Sequence, residues 1–182
     1  MAFRSRAVAL SLLTAVLAAP AAAAPANPPQ TLALHDATTL PLAACAARNL
    51  LFMDGYTVSL YLPDNGHPPN AAISAHMPKA VRIDVTWQGN LPSQLPGTWE
   101  RRLRQGVAPD VFGAVREIYA RLSGGDSVVF AHAPGRGTAV SVNGRRVLAS
   151  NDASLVDTLL DMFVGPEPVS RNTKRLLLEP GC

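Results

Sequence analysis

The chain has 182 residues, with 16 Lys+Arg against 13 Asp+Glu and a 48% apolar share, a length that allows one ordinary domain and excludes a large multidomain architecture. The formal charge of +3 first has to be located, because a charge carried by a removable segment says nothing about the folded part.

Met1 to Ala24 reads as a secretory signal: Arg4 and Arg6 form a positive start, Ala7 to Ala19 an apolar core broken only by Ser11 and Thr14, and the Ala/Pro run from Pro20 to Ala26 offers small-x-small cleavage sites. Cleavage is expected between Ala21 and Ala26, with an uncleaved anchor as the rival reading. No later segment approaches the roughly 20 apolar residues of a spanning helix, so no stable membrane insertion is expected after cleavage. The segment 1–24 holds two of the 16 cations and none of the 13 anions, leaving 14 against 13. A remainder so close to neutral has no electrostatic reason to bind nucleic acid or an anionic membrane surface. The expected domain is 27–182, in an exported compartment, a bacterial periplasm. Export makes a Cys45–Cys182 disulfide chemically allowed, although sequence alone cannot bring the two Cα atoms together, and Cys182 as the last residue has an equal claim to be frayed.

In chain order, 27–30 is a Pro-containing lead-in. Leu40 to Leu42 and Asn49 to Met53 read as short strands, Asp54-Gly55 as a turn, and Tyr56 to Leu62 as a strand with Tyr56, Val58, Leu60 and Leu62 on one side. The run Pro63 to Pro69 is a loop and Asn70 to His76 a short helix. Lys79 to Gln88 alternates most cleanly, with Val81, Ile83, Val85 and Trp87 opposed to Arg82, Asp84 and Thr86. Two helices follow the loop 89–97. Thr98 is the expected cap of the first; the second starts near Pro109-Asp110, buries Val111, Val115, Ile118, Tyr119 and Leu122, and stops at Gly124-Gly125. Ser127 to His132, Thr138 to Val142 and Arg145 to Leu148 form an antiparallel meander around an Ala133 to Gly137 turn and an Asn143-Gly144 turn. A helix capped by Asn151 or Asp152 and a last helix capped by Ser170 close the chain. Grouped helices beside clustered strands argue for an α+β fold with an antiparallel sheet and helices on one face.

Little in the chain points to borrowed chemistry. His35, His67, His76 and His132 have no i, i+4 or Cys-x-x-Cys partner, so neither a metal nor another cofactor is expected. Gly135-Arg136-Gly137 is a strand-joining turn rather than a dinucleotide loop, no G-x-S-x-G elbow surrounds any serine, and the arginines of Trp99 to Arg104 read as a solvated helix face. Arg48, beside Ala46 and Ala47, either snorkels to water or points into a cavity to pair with an anion. Tyr56 and Tyr61 lie on opposite faces of their strand. Thr173, inside the last helix, has its own i−4 carbonyl as the ordinary partner.

Three stretches in order, ARNLLFMDGYTVSLYLP from Ala47, GDSVVFAHAPGRGTAVSVNG from Gly125 and VGPEPVSRNTKRL from Val164, resemble the chalcone isomerase-like proteins, in particular their exported bacterial branch, over roughly Leu40 to Leu178. The resemblance implies an open-faced β-sandwich, an antiparallel sheet backed by a layer of helices with a ligand cleft between them. It also implies site residues. Arg48 matches the family arginine and Thr173 the late threonine. The strand threonine falls on Tyr56, or on Thr57 after a one-residue shift. The helical tyrosine falls at or near Trp99, and the asparagine near Gln105 or Gly106. Ring closure needs a preorganised donor set, and losing one such donor typically costs about 10² to 10³ in rate, so the substituted positions argue against true chalcone cyclisation. The expectation is a protein that binds an amphipathic anion, a fatty acid or planar phenolic, through Arg48, Tyr56, Thr57, Trp99, Gln105 and Thr173. The alternative is an intramolecular lyase or isomerase acting on a chalcone-like enone with Arg48, Tyr56 and Thr173 as catalytic groups. A third reading is an interaction protein with a filled cleft.

Overall fold

The computed structural model describes residues 27–34, 38–50, 53–64, 68–87, 91–179 and 182, and no side chain at 48–50 or 53–54. Strands β1 (Thr31–Ala33), β2 (Thr39–Leu50), β3 (Met53–Tyr61), β4 (Lys79–Val85), β5 (Ser127–Ala133), β6 (Gly137–Val142) and β7 (Arg145–Ser150) form one sheet in sequence order, antiparallel throughout. Helices α1 (Gly97–Gly106), α2 (Pro109–Tyr119), α3 (Ser154–Val164) and α4 (Arg171–Leu178) cover one face. This is the expected α+β arrangement.

Period-2 alternation builds two cores. Val58 and Leu60 on β3, Val81 and Ile83 on β4, Val128 and Phe130 on β5 and Val140 on β6 face the helices. The intervening Tyr61, Ala80, Ala131 and Ala133 meet Leu34 and Leu40 on the opposite, outer face, so the β1–β2 hairpin curls over that side. Tyr61 anchors the lead-in by donating its hydroxyl to Pro29 O at 2.9 Å; burial pushes its phenol up to about 12, which keeps the donor proton in place at any ordinary pH. On the helical side α3 is the centre. Seven of its eleven residues are buried, so it is apolar around most of its circumference, as a helix sandwiched between a sheet and other helices must be. Arg102 on α1 pairs with Asp161 on α3 and donates to Glu167 O at 3.2 Å, while Arg104 pairs with Glu100 at the surface.

Several expectations shift. Asp54-Gly55 is not a turn: both residues lie in β3, and β2 is one twelve-residue strand rather than two short pieces. Its alanine-rich middle has weak strand preference, and the ladder with β3 overrides it; its small residues let α4 sit close to that ladder. Thr98 does not cap α1. The helix begins one residue earlier, at Gly97 behind Pro96, with no side-chain cap. The α2 helix ends at Tyr119 and the chain continues as turns. The short helix is a 3-10 turn, Pro69–Ala72. Asp152 serves α3 as expected, accepting from Ser154 N at 3.0 Å and Ser154 Oγ at 2.7 Å, although Ala153 holds the cap position. Ser170 caps α4, accepting from Thr173 N at 3.3 Å. Asn143 (φ 51°) and Gly144 (φ 78°) both take the left-handed conformation that a two-residue hairpin turn demands. Cys45 and Cys182 are disulfide-bonded, with Cα atoms 4.9 Å apart, so the last residue is tied to β2.

Candidate functional site

Between the sheet and α1, α2 and α3 lies a cavity of about 360 Å³. Tyr56, Ile83, Val85, Val128 and Phe130 supply its sheet wall; Trp99 and Leu103 from α1 and Ile118 and Tyr119 from α2 supply much of its helical wall. The helical residues converge because positions three or four apart share a helix face. The loop residues Leu91, Pro92 and Leu95 and the strand-end Trp87 complete the lining at the sheet end where β4 stops. No charged side chain lines the cavity among the described residues. Its polar atoms belong to phenol and indole groups and to backbone.

An aromatic chain stiffens one wall. The rings of Tyr56 and Trp99 meet edge to face at 5.6 Å and 83°, and Trp99 meets Phe163 on α3 at 5.5 Å and 80°. Such contacts contribute about 0.5 to 1.5 kcal/mol each beyond area burial, and here they fix the indole in the cavity wall, between β3 and α3. Tyr119, on the opposite wall, has its phenol pKa raised by burial, so it remains a protonated donor. By its spacing in the sequence Tyr119 is only one more core residue of the α2 stripe. Nothing in a helical spacing distinguishes a tyrosine that packs from one that lines a void.

The sequence-predicted residues separate into groups. Tyr56 and Trp99 touch and line the same cavity. Arg48 is the register partner of Tyr56 across β2–β3, while its side chain lies outside the described residues. Thr57 pairs with Asp84 on β4 and alternates to the outer side of the sheet, away from the cavity. Gln105 is exposed on α1, two positions after the inward-facing Leu103. Its neighbour Gly106 lies so close to α3 that an added Cβ would stand 2.2 Å from Thr158 Oγ1. Thr173 is buried on α4, which packs against β2 and α3, and it is not part of the cavity lining.

A family description, chalcone isomerase-like, matches residues 22–179 of this chain. Among solved structures, the chain is similar to a crystal structure of an Arabidopsis thaliana fatty-acid binding protein, with a TM-score of 0.53 at 13% identity, covering 81% of this chain and 95% of that one. At that identity the likeness is one of fold. No curated protein sequence matches. A seven-stranded antiparallel sheet backed by four helices, a cavity between the two layers, and a family match spanning nearly all of the described residues lead to one conclusion: the chain belongs to the chalcone isomerase-like family.

Proposed function

We propose that the chain is an exported protein that binds an amphipathic anion such as a fatty acid in the sheet–helix cleft, without strong catalysis. The observation that carries this reading is the cavity of about 360 Å³ whose described lining has no charge and few polar atoms. Such a space rewards the transfer of an acyl or aromatic body out of water at roughly 25 cal/mol per Å² of apolar surface, and its volume falls within the usual range for small-molecule sites. Arg48 is assigned the anionic end, because its backbone stands opposite the cavity residue Tyr56 and a guanidinium holds a carboxylate through two parallel hydrogen bonds. Tyr119 and Tyr56 are assigned the phenol donors beside it. The fatty-acid binding protein of similar fold supports the ligand class. The Cys45–Cys182 disulfide supports export, since such bonds persist in oxidising compartments.

The test is organic extraction of the purified protein followed by mass spectrometry, together with displacement titration by laurate. The expected result is a bound acyl carboxylate whose affinity falls about tenfold or more in Arg48→Ala and is lost in Ile118→Trp, which fills the cavity. A protein that releases no lipid and does not bind laurate sinks the proposal. Turnover of a hydroxylated chalcone that Arg48→Ala abolishes replaces it with the intramolecular lyase reading.

A further inference from the structure

The outer face of the sheet carries a second hollow, of about 560 Å³, separated from the sheet–helix cleft by the full thickness of the sheet. Its construction can be followed row by row. The ladders align Arg82 on β4 with Val129 on β5, Val129 with Ser141 on β6, and Ser141 with Arg146 on β7. One step further along the strands, about 7 Å away, the aligned residues are Ala80, Ala131, Ala139 and Ala149. The floor is therefore made of short side chains, and Leu32 and Leu34 of the curled-over N-terminal hairpin overhang its alanine end. The hollow has polarity: guanidinium, hydroxyl and the Asn143 amide at one end, leucine and alanine at the other.

Two details show how cations come to line it. Ser141 pairs with Arg146 rather than Val147 because the β6–β7 ladder slips by one residue between Val140 and Ser141. A bulge of this kind re-aims the side chains beside it; here it brings Arg146 into the groove row and leaves Val147 40% exposed. Arg82 is held from one side only. Asp84 accepts from its Nε at 3.0 and 2.9 Å and from Nη2 at 2.7 Å, so Nη1 has no partner among the described residues. Arg146 makes no ion pair among them either. Three interstrand steps of about 4.8 Å set the two arginine Cα atoms roughly 14 Å apart, within the combined reach of two such side chains over the short Val129 and Ser141.

From this geometry we infer that the outer hollow is a second ligand site, for a compact organic carboxylate. Its charged end lies between Arg82 and Arg146 beside Ser141, and its apolar body lies over Ala131 and Ala139 under Leu32 and Leu34. This site differs in kind from the cleft: it is charged at one end, whereas the cleft is without charge along its described lining.

The test uses the purified chain, 4-phenylbutyrate as probe and its uncharged analogue 4-phenylbutanol as control, followed by backbone amide NMR shifts. The expected shifts fall on 127–131 and 139–146, and the alcohol binds about tenfold more weakly, as does the carboxylate to Arg146→Gln. Ser141→Leu, which fills the floor, is expected to abolish binding, while Ile118→Trp, which blocks the cleft, leaves it unchanged. Shifts confined to cleft residues, equal binding of acid and alcohol, or loss of binding in Ile118→Trp each overturn the assignment. Laurate binding in the cleft is read separately, so either site can fail without the other.

Discussion

The Lys79 ammonium, fully buried at the first residue of β4, is bound to the carboxylate of Asp157 on α3. It also donates to Ala72 O at 3.0 Å and Ala75 O at 2.8 Å. One cation thus ties the sheet, the 3-10 turn and the central helix together at the start of β4.

The two partners differ in burial, which sets an order for their substitutions. The Asp157 side chain keeps 22% exposure while Lys79 keeps none. Asp157→Asn strands a buried ammonium and is expected to cost roughly 3 to 5 kcal/mol; Lys79→Met leaves a carboxylate that can turn to water and is expected to cost about 1 to 3 kcal/mol. Urea denaturation of both variants checks the order, and a smaller loss in Asp157→Asn would refute it.

His132 faces Lys79 across the β4–β5 ladder. Thr138 gives its hydroxyl proton to Asp152 O, so its oxygen accepts from His132 Nδ1 at 3.2 Å, which places the neutral imidazole proton on Nδ1. Burial lowers the His132 pKa below its ordinary 6.5, the Lys79 and His76 charges lower it further, and Asp157 and a backbone hydrogen bond at Gly137 oppose the shift. The unfolded chain therefore takes up the proton first, and stability falls as pH drops below about 6.5. The melting temperature between about pH 5 and 7 is expected to depend less steeply on pH in His132→Gln. An unchanged slope would assign the acid limb to other groups.

The Cys45–Cys182 bond joins residues 137 apart in sequence. In the chain-entropy view a loop of that size contributes at most about 5 kcal/mol, so reduction or Cys182→Ser is expected to lower Tm by roughly 10 °C. A melting scan with and without reductant reads this directly. Coincident curves would mean that the unfolded chain gains little freedom when the bond opens.

Gly106 and Thr158 form a steric pair. Gly106→Ala drives a Cβ to 2.2 Å from Thr158 Oγ1, an overpacking expected to cost about 1 to 3 kcal/mol. Adding Thr158→Ala removes the obstructing atoms and is expected to recover most of the loss. Additive effects in this double-mutant cycle would show that the clash is relieved by backbone movement instead.

How much of this was legible in advance depends on whether the signal was local. The alternation in β4, the Asn143-Gly144 turn and the Ser170 cap depend on a few neighbouring residues, and each stands where its pattern puts it. The middle of β2 was invisible because alanines state no periodicity of their own; its pairing with β3, under the cover of α4, makes that stretch a strand. Tyr56 and Trp99 were legible through resemblance and do meet. Thr57 was assigned to the cleft only through a one-residue shift, and in a strand that reverses the face. The outer hollow was unreadable, because the bulge that brings Arg146 into it is a property of two strands and leaves no mark in either.

The unbroken order of the strands has a kinetic consequence. Every ladder joins strands adjacent in sequence, and the β5–β6 and β6–β7 hairpins close short loops, whereas β4 and β5 meet only across the connection that carries α1 and α2, so the β5–β7 meander can form without a distant search. The contact of α4 with β2 unites the two ends of the domain. Pulsed hydrogen exchange should find amides of β5 to β7 protected before those of β2, whose free flank gains its cover only when the last helix docks.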